Sequence, residues 1–154
     1  MELKKKLVEL LYYWERQNIR ITSGCSQQDI NHSEVKLNVK LPSDFVEYFR
    51  LVNGMGLLYP NDSDDNGFLF YPLQGLTTVQ IDKGSDYGQL QKHLIFADYM
   101  QNSWTYHVKL VDQNNYQIGI SPSLGIFNSI TNSLAEFIQF YITDDNILYS
   151  YELE

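Results

Sequence analysis

Residues 36–56, KLNVKLPSDFVEYFRLVNGMG, decide the fold class, because a helix start, an apolar stripe and a helix stop share one short stretch. Pro42 suits a first helical position, since its φ is already helical and its missing N–H would have had no intrahelical partner. It also drives Leu41 towards extended backbone. Phe45, Tyr48, Phe49 and Val52 recur at i, i+3, i+4 and i+7 and so share one buried face, while Asp44, Glu47 and Arg50 point elsewhere. Asn53 and Gly54 then tolerate the left-handed backbone that closes a helix.

Upstream, Leu3, Leu7, Leu10, Leu11 and Trp14 repeat at helical spacing and predict an amphipathic helix over 2–17. After a turn near Gly24, Ser26 can cap a second helix over 27–36, with Asp29 in its first turn where the helix dipole favours negative charge. Downstream the pattern turns to strands. The runs at 67–73, 93–100, 104–111, 116–121 and 147–153 are rich in β-branched and aromatic residues and are separated by Asn, Asp, Gly and Ser. In WTYHVKLV (104–111), Trp104, Tyr106, Val108 and Leu110 alternate with Thr105, His107 and Lys109, as a half-buried strand requires. Asp112 to Asn115 should turn that strand into YQIGIS (116–121) as a hairpin. A closing helix is written in SLAEFIQFY: Ser133 and Glu136 have capping-box spacing, and Leu134, Phe137, Ile138 and Tyr141 form its apolar face. Helices first, strands later and a helix near the end make this α+β and not alternating α/β. A length of 154 residues fits a single domain, 1–154.

The chain is 44% hydrophobic and 14% aromatic, too rich for disorder, and no apolar run approaches the ~18 residues of a membrane span. Lys4, Lys5 and Lys6 are followed by Glu9, Glu15 and Arg16, so no secretory apolar region forms. Cys25 is alone, which leaves neither an internal disulfide nor a cysteine zinc site, and a reducing cytoplasm is the expected location. Net charge is −8 and uneven: residues 1–50 carry eight Lys/Arg and seven Asp/Glu, residues 51–154 three and twelve. Such a field repels phosphate backbones and attracts basic partners, so no nucleic-acid or membrane partner is expected.

The stretch LPSDFVEYFRLVNGMG resembles the motif of the SUKH superfamily, which includes the fungal Smi/Knr cell-wall synthesis regulators and many bacterial toxin-immunity proteins. Leu41, Pro42, Asp44, Phe45, Phe49, Asn53 and Gly54 occupy the motif positions, IFAD (95–98) matches a middle strand, and Ser133 with Phe137 matches the closing helix. The similarity spans residues 26–141. Many relatives have a glycine-containing turn and then Asp after the middle strand, where this chain has Met100, Gln101, Asn102 and Ser103. The resemblance implies a twisted, mostly antiparallel sheet with helices packed on it, no cofactor, and work done by protein binding. In bacterial members it implies neutralisation of a toxin, often a nuclease or deaminase. In the fungal regulators it implies a scaffold for cell-wall synthesis, which is the alternative.

Candidate binding residues lie outside the motif. In YPNDSDDNG (59–67), Asp62, Asp64, Asn66 and Gly67 match the first half of a calcium loop, but Leu73 stands where the bidentate Glu belongs, so no metal is expected. Asp62, Asp64 and Asp65 are instead candidates for contact with a basic toxin domain. Among twelve tyrosines, Tyr48, Tyr106 and Tyr141 read as core by their spacing, whereas Tyr59, Tyr87, Tyr149 and Tyr151 are free for a binding face, and those near the C-terminus permit a homodimer. Cys25, His32, His93 and His107 show no spacing that would pair a nucleophile with a base, and no nucleotide-binding or hydrolase motif occurs, so no catalytic residue is assigned. The histidines read as solvated.

Overall fold

The structure, a computed structural model, describes residues 1–56, 63–82 and 90–149. Three helices come first: α1 (Leu3–Arg16), α2 (Gln27–Leu37) and α3 (Ser43–Leu51). Strands β1 (Phe68–Phe70), β2 (Thr77–Asp82), β3 (Leu90–Tyr99), β4 (Trp104–Leu110), β5 (Tyr116–Ser121) and β6 (Asn128–Thr131) follow, and then α4 (Leu134–Ile142). Every pairing is antiparallel, in the order β1–β3–β4–β5–β6, and β2 continues the edge of β3 that β1 begins. The α+β reading therefore holds.

One apolar core explains the layering. Leu94, Phe96, Tyr106, Val108, Ile118 and Ile120 line the inner face of the sheet. Leu7, Leu10 and Trp14 of α1, Phe45, Tyr48 and Phe49 of α3, and Phe137, Ile138 and Tyr141 of α4 complete the core. Phe137 meets Phe70, Phe96 and Tyr106 edge-on at 6.2, 5.3 and 5.5 Å, and the Phe45 ring meets Phe96 and Tyr116 at 5.3 and 5.7 Å. Such contacts add about 0.5–1.5 kcal/mol each beyond burial.

Helix boundaries follow local chemistry. Ser26 caps α2 as a full capping box: its hydroxyl accepts from Asp29 N at 3.0 Å and the Asp29 carboxylate accepts from Ser26 N at 2.9 Å. Ser26→Ala is expected to lower stability by about 1 kcal/mol in urea denaturation. Pro42 is the cap residue of α3 and not its first helical residue: its ψ of 146° is extended, and its carbonyl accepts from Phe45 N and Val46 N. At the other end Val52 is extended, and left-handed backbone falls on Gly54, φ +57°, and Gly56, φ +77°, and not on Asn53. A Cβ on Gly54 would stand 2.4 Å from the Tyr71 carbonyl oxygen, so the close approach of this turn to the chain beyond β1 requires glycine.

Several expectations are corrected. The run 67–73 is a strand only over Phe68–Phe70, because Pro72 leads into a 3-10 turn, Leu73–Gly75. The run 147–153, expected as a strand, begins inside a 3-10 turn, Asn146–Tyr149, and residues 150–153 lie outside the described residues. Strands β2 and β6 add to the expected set; TTVQID and NSIT carry few apolar residues and so lack a strong strand period. Ser133 caps α4 by accepting from Glu136 N, but the Glu136 carboxylate turns to the Thr131 hydroxyl, so only half of the capping box forms. Where relatives have a glycine turn, Met100, Gln101 and Asn102 take φ of 51°, 55° and 69° without one.

Candidate functional site

The family-motif residues prove to be struts. Leu41, Phe45 and Phe49 are at most 1% exposed. Asp44 accepts from the Tyr116 hydroxyl, which itself accepts from Leu134 N at 2.7 Å, so one carboxylate ties α3 to β5 and to the start of α4. Asn53 accepts from Leu73 N at 2.7 Å and donates to Gln74 Oε1 at 3.0 Å, clamping the first 3-10 turn. These side chains are consumed in holding the scaffold together.

The surface that remains accessible and chemically distinctive is a corner where the end of α1, the loop before β1 and the segment after α4 converge. Asp64 builds it. Although expected at the surface, its carboxylate is 5% exposed. One oxygen accepts from Asn66 N and Phe68 N at 2.9 Å each, and the other accepts from the Tyr141 hydroxyl at 2.6 Å. Tyr141 in turn accepts from Trp14 Nε1 at 2.9 Å, so Trp14, Tyr141 and Asp64 join α1, α4 and the loop by a buried relay. Burial, and then the Asp64 charge, push the Tyr141 phenol far above its ordinary range, so it stays protonated as the donor.

Exposed Asp65, one residue beyond the relay, and exposed Asp144, after α4, both act on the phenol of Tyr13 at the end of α1. The Tyr13 phenol is raised by burial first and then by Asp64, Asp144 and Asp65, which reports their shared field. Arg16 opposes it and stacks over Tyr12 with its guanidinium 5.2 Å from the ring centre. Tyr149 is half-buried, donates its hydroxyl to Asp144, and packs against Phe68, Tyr99 and Trp104. Burial and that bond raise its phenol. Tyr99 and Trp104 stack at 4.5 Å beside it.

Of the residues proposed from sequence, the structure brings Asp65 and Tyr149 to one corner and removes Asp64 from the surface. Asp62, Tyr59, Tyr87 and Tyr151 lie outside the described residues. Tyr13 and Asp144 were missed as partners because they are 131 positions apart in a chain of 154 and meet only through the packing of α1 on α4. Among the described residues no three His, Cys, Asp or Glu side chains gather as metal ligands.

The family model described as SMI1 / KNR4 family (SUKH-1) matches residues 24–139, from the turn before α2 into α4. The chain belongs to this family. It is similar to the KNR4/SMI1 homolog 1 of Debaryomyces hansenii, 31% identical over 74 residues, which is 48% of this chain and 15% of that protein. The chain thus matches only a small part of the curated relative. In this SUKH-1 chain the matched segment holds the struts, whereas Tyr13, Asp144 and Tyr149 of the acidic corner fall outside it. The helices present are too short or too polar to cross a membrane, among the described residues.

Proposed function

We propose that this SUKH-1 chain is an immunity protein that binds and neutralises a basic toxin domain, a nuclease or deaminase, in the cytoplasm and without chemistry of its own. The observation that carries this reading is the corner of Asp65, Asp144, Tyr13 and Tyr149, where carboxylates stand against half-buried aromatic rings on a rigid relay. Aromatic side chains supply large contact area at low entropic cost, and surrounding carboxylates steer a cationic partner into encounter. A toxin that grips phosphates would meet in this corner a substitute for the charge of its substrate.

The test is to read the neighbouring open reading frames and to co-express this chain with a nuclease or deaminase toxin domain found there. Rescue of growth together with a complex in pull-down supports the reading; no rescue and no complex removes it. Asp65→Asn with Asp144→Asn keeps the acceptor for Tyr149 while removing two charges. Association measured by stopped flow at low salt should slow about tenfold and converge with wild type as salt rises. An unchanged rate would exclude the corner as the steering surface. The alternative, a regulatory scaffold of the Smi/Knr type, draws support from similarity to the Debaryomyces relative.

A further inference from the structure

Strand β2 forms an edge of the sheet, and among the described residues its outward backbone groups meet no partner. The collinear strand β1 differs, because Phe70 O accepts from Met55 N and Phe68 O from Asp64 N, so its edge is covered. Every second residue of β2 turns its N–H and C=O away from β3. Proteins guard such edges with lysine, proline or a bulge. TTVQID (77–82) has no lysine and no proline, and its pairing with β3 runs without a shift. Thr77, Thr78, Val79 and Ile81 are β-branched and hold extended backbone.

The occupant suited to this edge is a second copy. Around a two-fold axis normal to the sheet, residue i faces residue j with i + j constant, and only even sums keep outer face beside outer face. With Val79 on the axis, Val79 faces itself, Ile81 faces Thr77, and Thr78 faces Gln80, so no charge is opposed by a like charge. Val79 and Ile81 already line, with Ile95 and Leu124, a hollow of about 300 Å3 on the outer face, which the second copy would extend.

Electrostatics also favour this approach. β2 pairs with the first half of β3, flanked by Lys92 and Lys109, whereas Asp98 and the acidic corner lie beyond its second half. His93 to Asp98 spans about 16 Å of strand, beyond a Debye length of about 8 Å, so two chains of net charge −8 meet through a side remote from their acidic corners. We propose that the chain forms a two-fold dimer by antiparallel β2–β2 pairing centred on Val79, one sheet running through both copies. Its two acidic corners then face away from the dimer axis, free for two partners.

Sedimentation of the chain alone, from low to high micromolar concentration, should show a species of twice the chain mass. Thr77→Lys with Val79→Lys should weaken the dimer at least about tenfold while circular dichroism stays native, since lysine on an edge blocks pairing. Val35→Lys, at a position 82% exposed on α2, should leave the dimer intact. Val79→Cys should cross-link under mild oxidation, because facing residues in an antiparallel pair stand ~4.5–5.5 Å apart at Cα, within disulfide reach. Gln80→Cys should not, and Cys25 is buried. A monomer at all concentrations, a dimer indifferent to the lysine pair, or cross-linking through Gln80→Cys in place of Val79→Cys would each overturn the proposal. None of these measurements involves a toxin, so their failure leaves the binding reading untouched.

Discussion

Replacing Asp64 with alanine is expected to cost about 3–5 kcal/mol in urea denaturation, the range for removing one partner from a buried charged network. Three donors lose their acceptor at once: Tyr141 Oη, Phe68 N and Asn66 N. Tyr141 is 2% exposed and cannot recover the bond from water. Asp64→Asn should cost only about 1–2 kcal/mol, because its carbonyl still accepts from the two backbone amides and only the tyrosine bond is compromised. Asp65→Ala, one residue on and exposed, should stay within about 0.5 kcal/mol of wild type. A loss below about 1 kcal/mol for Asp64→Ala would show that the relay does not hold the corner. Under the proposed toxin-binding reading the same variant should also slow association, since Asp65 is placed by the loop that Asp64 fastens.

Acidification should destabilise the chain between pH 6.5 and about 4 through two histidines on the outer face of the sheet. His93 and His107 are 2% and 3% exposed, contrary to their reading as solvated, with their Nδ1 atoms 3.4 Å apart. His107 Nε2 shares a 2.8 Å hydrogen bond with the Thr105 hydroxyl, and the Phe127 ring packs edge-on to His93 at 4.5 Å. Burial lowers both to about 4, helped at His93 by Lys109 and at His107 by His93. The unfolded chain then binds protons that the folded chain refuses, so stability falls as pH drops below the ordinary histidine value of 6.5 and levels off near 4. From pH 6.5 to 4.5 the loss is about 2 kcal/mol for each histidine and about 4 for the pair. Urea midpoints across that range should show it, and His93→Gln with His107→Gln should flatten the curve. Asp29 and Asp112, held low by hydrogen bonds from Ser26 and from Asn115, lose their contribution only below the ordinary carboxylate value and leave this window clear. A wild-type midpoint unchanged from pH 6.5 to 4.5 would refute the buried pair.

The fate of these histidines shows where one-dimensional reading stops. Alternation along WTYHVKLV placed His107 on the outer face, and it lies there. Its burial comes from elsewhere: the β5–β6 connection lays Phe127 over Gly119, where a Cβ would stand 2.7 Å from the ring. Strand β2 was hidden for a related reason. An edge strand buries little, so TTVQID has no strong apolar period, and its extended state is imposed by pairing with the more apolar β3.

What the sequence by itself determined is local: the caps at Ser26 and Ser133, the apolar faces of α1, α3 and α4, the turn at Asp112–Asn115, and the motif that places the chain in SUKH-1. Each rests on residues within one or two turns of backbone, where spacing dictates geometry. Tertiary structure alone decided that Asp64 is a strut, that Asp65 and Asp144 both act on Tyr13 beside Tyr149, and that β2 is an edge strand with no outer partner among the described residues. Those outcomes depend on burial and charge summed over segments far apart in the chain, and folding alone brings such segments into contact.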